Sequence, residues 1–338
     1  MMSMNAVISL PYSVGEILNR KTKVRRTGIK VLNYFAARTI NDMNRSAKYL
    51  MLIVPTVAVA WAAIFIRLAD ADPVSTAFFR MSFAALFLLP FGIRGLKSAL
   101  SQMPRKDFLL LIASGLVLGV HFAAWITSLK YTTIANSVII VSTQPFFVAV
   151  TEAILWRTKI APRAVIGMVI AFIGMVLITG FGFGVDTSNL FGEFLSFIGA
   201  VCAGTYLMVG RKLRQTLNNR HYILPVYSIA AITLFVIGLV THAPLSGFSG
   251  TTWIYFLLLA LIPTVIGHSL YNYLLKYIKA HLVGLTILGE PIGAIVLGAI
   301  IFGEYPSVQA GIGGVLILIG ITFALFRKKS DDSGRKTA

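Results

Sequence analysis

The chain has 338 residues, 57% of them apolar and 12% charged, where an ordinary soluble domain carries about 25% charged residues. That balance excludes a water-soluble globular protein and makes this an integral membrane protein, its apolar surface facing the lipid bilayer. The net charge of +18 would point to nucleic acid in a soluble protein, but here the basic residues sit between apolar stretches, so no nucleic-acid partner is expected; the lone Cys202 leaves no disulfide framework and no thiolate metal cluster.

Residues 1–48 do not span. Arg20, Lys21, Lys23, Arg25, Arg26 and Lys30 form a basic run, with Glu16 and Asp42 the only acids of the tail. Three readings stay open. The run is a polybasic arm on anionic lipid, or an Arg-rich, acid-poor transit peptide, or sequence upstream of the true start. Met43-Asn-Arg-Ser-Ala-Lys runs straight into the first apolar stretch, as a start would.

Ten apolar stretches come after the tail, at 49–67, 74–92, 108–128, 134–156, 164–181, 190–209, 222–241, 252–274, 282–302 and 307–326. Each can cross a bilayer, which takes roughly 20 helical residues. The connections are short and rich in Pro, Gly and charge. The run Gly180-Phe-Gly-Phe-Gly184 lacks a preceding strand and a following Lys or Ser/Thr signature, so it reads as a flexible connector and not a phosphate loop.

Charge placement sets the topology. If the N-terminus is cytoplasmic and the spans alternate, all but three of the 30 Lys and Arg residues fall inside, the exceptions being Arg67, Arg80 and Lys130. Asp70, Asp72, Asp186 and Glu304 fall outside. This is the positive-inside pattern, and it puts both termini in the cytoplasm.

The chain also repeats itself. A single shift of 146 residues carries Leu129-Lys130-Tyr131 onto Leu275-Lys276-Tyr277, Pro145 onto Pro291, Ala153-Ile154 onto Ala299-Ile300, Gly167 onto Gly313 and Gly174 onto Gly320. Five spans per repeat is an odd number, so the second repeat enters the membrane inverted. The expected architecture is all-α: ten transmembrane helices as two inverted five-helix repeats, 49–184 and 188–327, with a cytoplasmic tail at 328–338. Such doubled units are the mark of transporters whose substrate site lies where the repeats meet.

The second repeat carries Glu290-Pro291, Gly303-Glu304, Gly311 and Gly313-Gly314-Val-Leu-Ile-Leu-Ile-Gly320; the first carries Phe79-Arg80, Pro145, Gly167 and Gly174. In these features residues 49–327 resemble the EamA-type domains of the drug/metabolite transporter superfamily. Ala62 follows Trp61 where the family usually has Gly, Thr158 stands where a first-repeat Glu would be, and Gln144 and Glu152 also depart from common members. The resemblance implies a ten-helix inverted-repeat fold and export or exchange of small metabolites.

Polar residues at membrane depth are the first site suspects, because hydrocarbon offers them no partner. Glu290 lies mid-way through the ninth span, before a Pro that removes a backbone donor and opens the helix near residues 286–287. Gln144-Pro145 is the same device in the fourth span, with a neutral amide. Matching helix breaks in two repeats point to a transport site; the plainer alternative is a structural kink with Glu290 bonded to backbone. His121 and Trp125 share a face of the third span, and His268, Asn272 and Lys276 a stripe of the eighth, with Tyr271 in register with Trp125. The two histidines are expected on opposite rims of one cavity, where aromatic rings could stack on an apolar or cationic substrate. Interhelical hydrogen bonding and an interfacial aromatic belt are the alternative. Tyr206 and Thr205 are weaker suspects. Arg80, roughly 10 Å inside the second span at 1.5 Å per residue, needs a partner, either Glu290 or, by snorkelling, Asp70 or Asp72. Glu152, near the inner interface, is expected to form a plain ion pair with Arg157, a gate being the alternative. Glycines 199, 204, 210, 289, 293, 311 and 314 read as close-packing surfaces.

No metal spacing, nucleophile with its base or nucleotide loop appears, so neither a cofactor nor an enzymatic reaction is expected. The reading is a secondary transporter of the plasma membrane, exporting or exchanging a small, amino-acid-like metabolite through a central cavity lined by spans 1, 3, 4, 6, 8 and 9. Rocking about Pro145 and Pro291 would give alternating access, with Glu290 either coupling transport to protons or reading a substrate amine. An uncoupled facilitator, or a non-transporting protein such as a lipid-modifying subunit or scaffold, is the alternative.

Overall fold

A computed structural model of the chain describes residues 45–128, 130–132, 137, 140–155, 157, 159–179, 190–303 and 308–325. The readings of the basic tail over 1–44, of the 180–184 connector, of Thr158 and of the 328–338 tail lie outside the described residues. The chain divides into two units at Lys48, and the helical bundle belongs to the second, Tyr49–Ala338.

Every regular element among the described residues is helical. We number the main helices α1 (Ile53–Ala69), α2 (Pro73–Gly92), α3 (Arg105–Ser128), α4 (Gln144–Leu155), α5 (Pro162–Thr179), α6 (Leu190–Leu213), α7 (Asn219–Val240), α8 (Gly250–Leu274), α9 (Ala280–Phe302) and α10 (Val308–Leu325). Among the described residues, seven helical stretches, those containing α1, α2, α3, α6, α7, α8 and α9, are long and apolar enough to cross a membrane. The apolar parts of α5 and α10 are shorter, and α4 has 12 described residues.

Local chemistry sets the ends. Asp72 caps α2, its Oδ1 accepting from the backbone of Val74 at 2.9 Å and Ser75 at 3.2 Å, while Pro73 takes the first turn, where its missing N–H costs nothing. Gly303, at φ 67°, stops α9. The middle of α8 departs from α-geometry: Ala260–His268 is π-helical around Pro263. Proline withholds a donor and crowds the preceding turn, and the widened turn lets Thr264 Oγ1 reach the Leu259 carbonyl at 2.9 Å.

The main helix pairings are α1 with α8 and α9, α6 with α3 and α4, α2 with α7 and α8, α3 with α7, α4 with α9, and α5 with α10. Exchanging each helix of the first five for its counterpart in the second five returns the same set. The α5–α10 crossing shows what kind of symmetry this is. A Cβ added at Gly167 would lie 2.5 Å from the Gly320 carbonyl oxygen, and one at Gly320 would lie 2.5 Å from that of Gly167. A Cβ at Gly174 would lie 2.5 Å from the Gly313 carbonyl oxygen. The sequence shift equates Gly167 with Gly313 and Gly174 with Gly320, so the contacts run crosswise. A crosswise, self-matching contact is what a two-fold axis makes between antiparallel helices. Only glycine permits so close an approach of backbones, which drives packing where no hydrophobic effect separates helix from lipid.

Candidate functional site

The helix holding Glu290 is interrupted just before it. The first half of α9 ends at Ile287, Leu288 and Gly289 form a turn, and helix resumes at Glu290 with Pro291 in its first turn. Gly289 N–H returns to the Thr286 carbonyl at 3.0 Å, so the freed backbone is re-satisfied locally. On α4, Ser142 and Thr143 form the matching turn and helix begins at Gln144. Thr143 bonds back to the Ile140 carbonyl through backbone N–H at 3.1 Å and hydroxyl at 2.6 Å. The shift of 146 carries Ser142–Thr143 onto Leu288–Gly289, so the two breaks are equivalent positions of the two repeats. The first half of α9 lies on α4, with a Cβ at Gly284 3.7 Å from Pro145 Cα.

Arg80 is the centre of the charged interior. It is 1% exposed. Its Nε donates to Thr264 Oγ1 at 2.7 Å, and its guanidinium stacks 4.4 Å from the Phe122 ring centroid. Its charge acts on Glu290, His121 and His268. It does not snorkel to the outer acids: Asp72 is occupied capping α2 and holding Lys130 at 3.1 Å. Phe122 joins the histidines, its centroid 4.9 Å from that of His121 and 5.7 Å from that of His268. The two histidines therefore meet at one aromatic ring instead of standing on opposite rims, because α3 and α8 both present these turns to the Arg80 side of the interior.

The suspects divide by whether the protein itself satisfies them. His121 Nδ1 bonds the Gly199 carbonyl at 2.9 Å and its ring lies parallel to Trp125, centroids 6.1 Å apart. Tyr271 shares a 2.7 Å bond with Thr56, which crosses from α1 to α8. Asn272 donates from Nδ2 to the Tyr206 hydroxyl at 2.5 Å and to the His268 carbonyl at 2.7 Å. Those groups build the walls, although the Asn272 Oδ1 is itself buried without a partner. The Glu290 carboxylate, the Gln144 amide and the His268 ring nitrogens make no hydrogen bond with another described residue, and the Trp125 Nε1 is buried with no partner. Gln144 is buried while Glu290 and His268 are half-buried, so the polar groups leading the two equivalent helix breaks are left unpaired where a bound ligand could satisfy them.

Several members were not found from sequence. Thr264 and the π-turn could have been suspected from Pro263 mid-span. Phe122 is one apolar residue among many, and nothing local marks it. Glu152 turns to the second repeat, with His281 Nδ1 on Oε2 and the Ala280 N–H on Oε1 at 3.1 Å. The expectation that it serves Arg157 missed His281, which looks in sequence like part of a basic flank.

Comparison with known proteins places this geometry. The EamA-like transporter family matches the chain twice, over residues 46–180 and 190–326. The chain belongs to the EamA-like transporter family. Similar proteins include an uncharacterized transporter of Archaeoglobus fulgidus, 27% identical over 289 residues and covering 82% of this chain and 96% of its own. Another is the uncharacterized transporter YyaM of Bacillus subtilis, 27% identical over 262 residues, covering 75% of this chain and 84% of its own. A solved crystal structure superposes with a TM-score of 0.72 over 83% of this chain and 97% of that one, at 18% identity, and shares the fold. This EamA protein is thus a multi-pass membrane transporter, in a family whose usual location is the plasma membrane.

Proposed function

We propose that this EamA protein is a secondary transporter of ten spans, arranged as inverted repeats over 49–184 and 188–327 with both termini cytoplasmic. It exports or exchanges a small, partly apolar, amino-acid-like metabolite through a central cavity by alternating access. The observation that carries the reading is the pair of equivalent helix breaks at Gln144 and Glu290, each leading with a polar side chain that no described residue satisfies. A substrate amine or a proton suits Glu290, and the His121–Trp125 stack offers a flat aromatic face. Arg80 keeps the interior near neutrality when Glu290 is ionised. Rocking of the repeats about the Pro145 and Pro291 breaks would expose the cavity to each side in turn.

Counterflow in proteoliposomes tests this. Purified protein is challenged with a mixed metabolite pool, with and without an imposed pH gradient, and compared with Glu290→Gln. Transport that accelerates with the gradient in the parent and loses that dependence in the variant supports proton coupling through Glu290. A variant with unchanged pH dependence removes that role. The field of Arg80 on Glu290 favours one second reading, an uncoupled facilitator in which the two charges balance structurally; transport indifferent to the gradient in the parent would select it. No movement of any metabolite would favour a lipid-modifying subunit or scaffold.

A further inference from the structure

We propose that Glu152 and His281 are the latch that closes this transporter on the side of its basic loops, and that they must part for the cavity to open there. The proposal rests on the alternating-access reading and assigns the gate within it. Glu152 stands near the end of α4, in the first repeat, before the basic segment 157–163; His281 stands in the first turn of α9, in the second repeat, after Lys276 and Lys279. Both side chains are 3% exposed. The carboxylate engages the second repeat twice, through the His281 ring and through the Ala280 backbone N–H at 3.1 Å. That N–H is one of the orphan donors at a helix start, so the contact also caps α9.

The neighbouring charges brace the same end. Arg211, on α6, acts on Glu152 electrostatically and donates to the Leu275 carbonyl at the end of α8. Arg214 donates from Nε to the Asn272 carbonyl at 3.0 Å. Lys279 Nζ lies 3.5 Å from the Lys159 carbonyl, again across the repeats. A buried, hydrogen-bonded polar pair adds little stability over a well-packed apolar one, but it is strong in one geometry only and costly when half-broken, the behaviour a two-position latch needs.

Symmetry supplies the second argument. The shift of 146 brings Glu152 onto Gly298, where an added Cβ would meet nothing within 4 Å. It brings Tyr227, Ser269 and Asn272 onto Met81, Ala123 and Ile126, all buried and apolar. The 3.3 Å Tyr227–Ser269 bond and the Asn272–Tyr206 bond therefore have no polar counterpart from these positions at the other end of the molecule. The outer end is joined across the repeats by other residues, Ser75 on the Pro244 carbonyl, Thr252 on the Ala69 carbonyl at 3.1 Å and Ser196 on Ser137 at 3.0 Å; no carboxylate–imidazole pair is among them, so the Glu152–His281 contact belongs to one end only.

The test needs no known substrate. In a Cys202→Ser background, Gln144→Cys serves as reporter in the cavity, and a charged, membrane-impermeant methanethiosulfonate is added to sealed vesicles of each orientation. In the parent, modification should proceed from the outer face and be slow from the face bearing the basic loops. Glu152→Gln, which keeps an acceptor for Ala280, and separately His281→Gln should raise the rate from the basic face by about tenfold or more, each factor of ten being about 1.4 kcal/mol in the open population. Elution of monodisperse protein and persistent outer-face labelling certify the fold. Unchanged basic-face rates in both variants overturn the latch, as does a parent modified equally fast from both faces. If neither variant yields folded protein, the sidedness of the parent alone decides in the same terms. A reporter unreactive from either face in every protein would sink the cavity reading itself, a different failure from that of the latch.

Discussion

The α5–α10 crossing predicts a measurable coupling between glycines distant in sequence. In Gly320→Ala, the new Cβ would lie 2.5 Å from the Gly167 carbonyl oxygen, 2.6 Å from the Ala171 nitrogen and 2.9 Å from the Ala171 Cβ. The first two are backbone atoms that cannot rotate away. A normal C···O contact is about 3.3–3.6 Å, so the helices must separate by about 0.8–1.1 Å, which forfeits roughly a quarter to a half of the dispersion energy along the seam. The expected loss is about 1–3 kcal/mol. Gly167→Ala should cost a similar amount, and the double variant should fall short of the sum by at least about 0.5 kcal/mol, since one separation serves both methyls. The control is Gly311→Ala on the same helix, where a Cβ meets nothing within 4 Å; it should be neutral, or stabilising by up to about 1 kcal/mol through helix propensity. Unfolding in mixed micelles of increasing SDS fraction, followed by circular dichroism, reads all four proteins. Single variants within about 0.5 kcal/mol of the parent, or strict additivity, would refute the close crossing.

Other consequences are simpler to check by the same unfolding assay. Thr264→Val strips the partner from Arg80 Nε and from the Leu259 carbonyl, and should destabilise by about 1–3 kcal/mol. Trp125→Phe removes an indole N–H that is buried without a partner; it should cost far less than a core truncation, so a loss above about 3 kcal/mol would show that the N–H is in fact bonded. Asp72→Ala should cost about 1 kcal/mol as a lost helix cap, whereas Lys130→Ala, which breaks only the exposed ion pair with Asp72, should fall within about 1 kcal/mol of the parent.

That the chain is an all-helical membrane protein of two repeats was legible in sequence because the two signals are long-range and redundant: apolar stretches of bilayer length, and a repeat in one register. Gly167, Gly174, Gly313 and Gly320 announced the repeat, but their crosswise pairing needed coordinates, since a shift of 146 equates Gly167 with Gly313 and says nothing about its touching Gly320. The helix interruptions before Gln144 and Glu290 follow from proline chemistry that is local and readable. The divisions among polar residues were not readable. His268 and His121 have the same composition signal, yet one ring is bonded to the Gly199 carbonyl and the other is unpaired. Which partner a polar group finds depends on helices that the sequence places far apart, as Thr264 for Arg80 and His281 for Glu152 illustrate.

The crosswise glycine contact has one more implication. Because Gly167 and Gly174 correspond to Gly313 and Gly320, a half-length chain bearing only the first pair already carries both faces of the joint. Two such chains inserted in opposite senses would form it unaided, so the seam asks nothing of the link between the halves. What the fused chain adds is freedom for the halves to diverge: one can place a carboxylate at residue 152 while the other keeps a glycine at 298, an asymmetry that two copies of a single gene product could never hold.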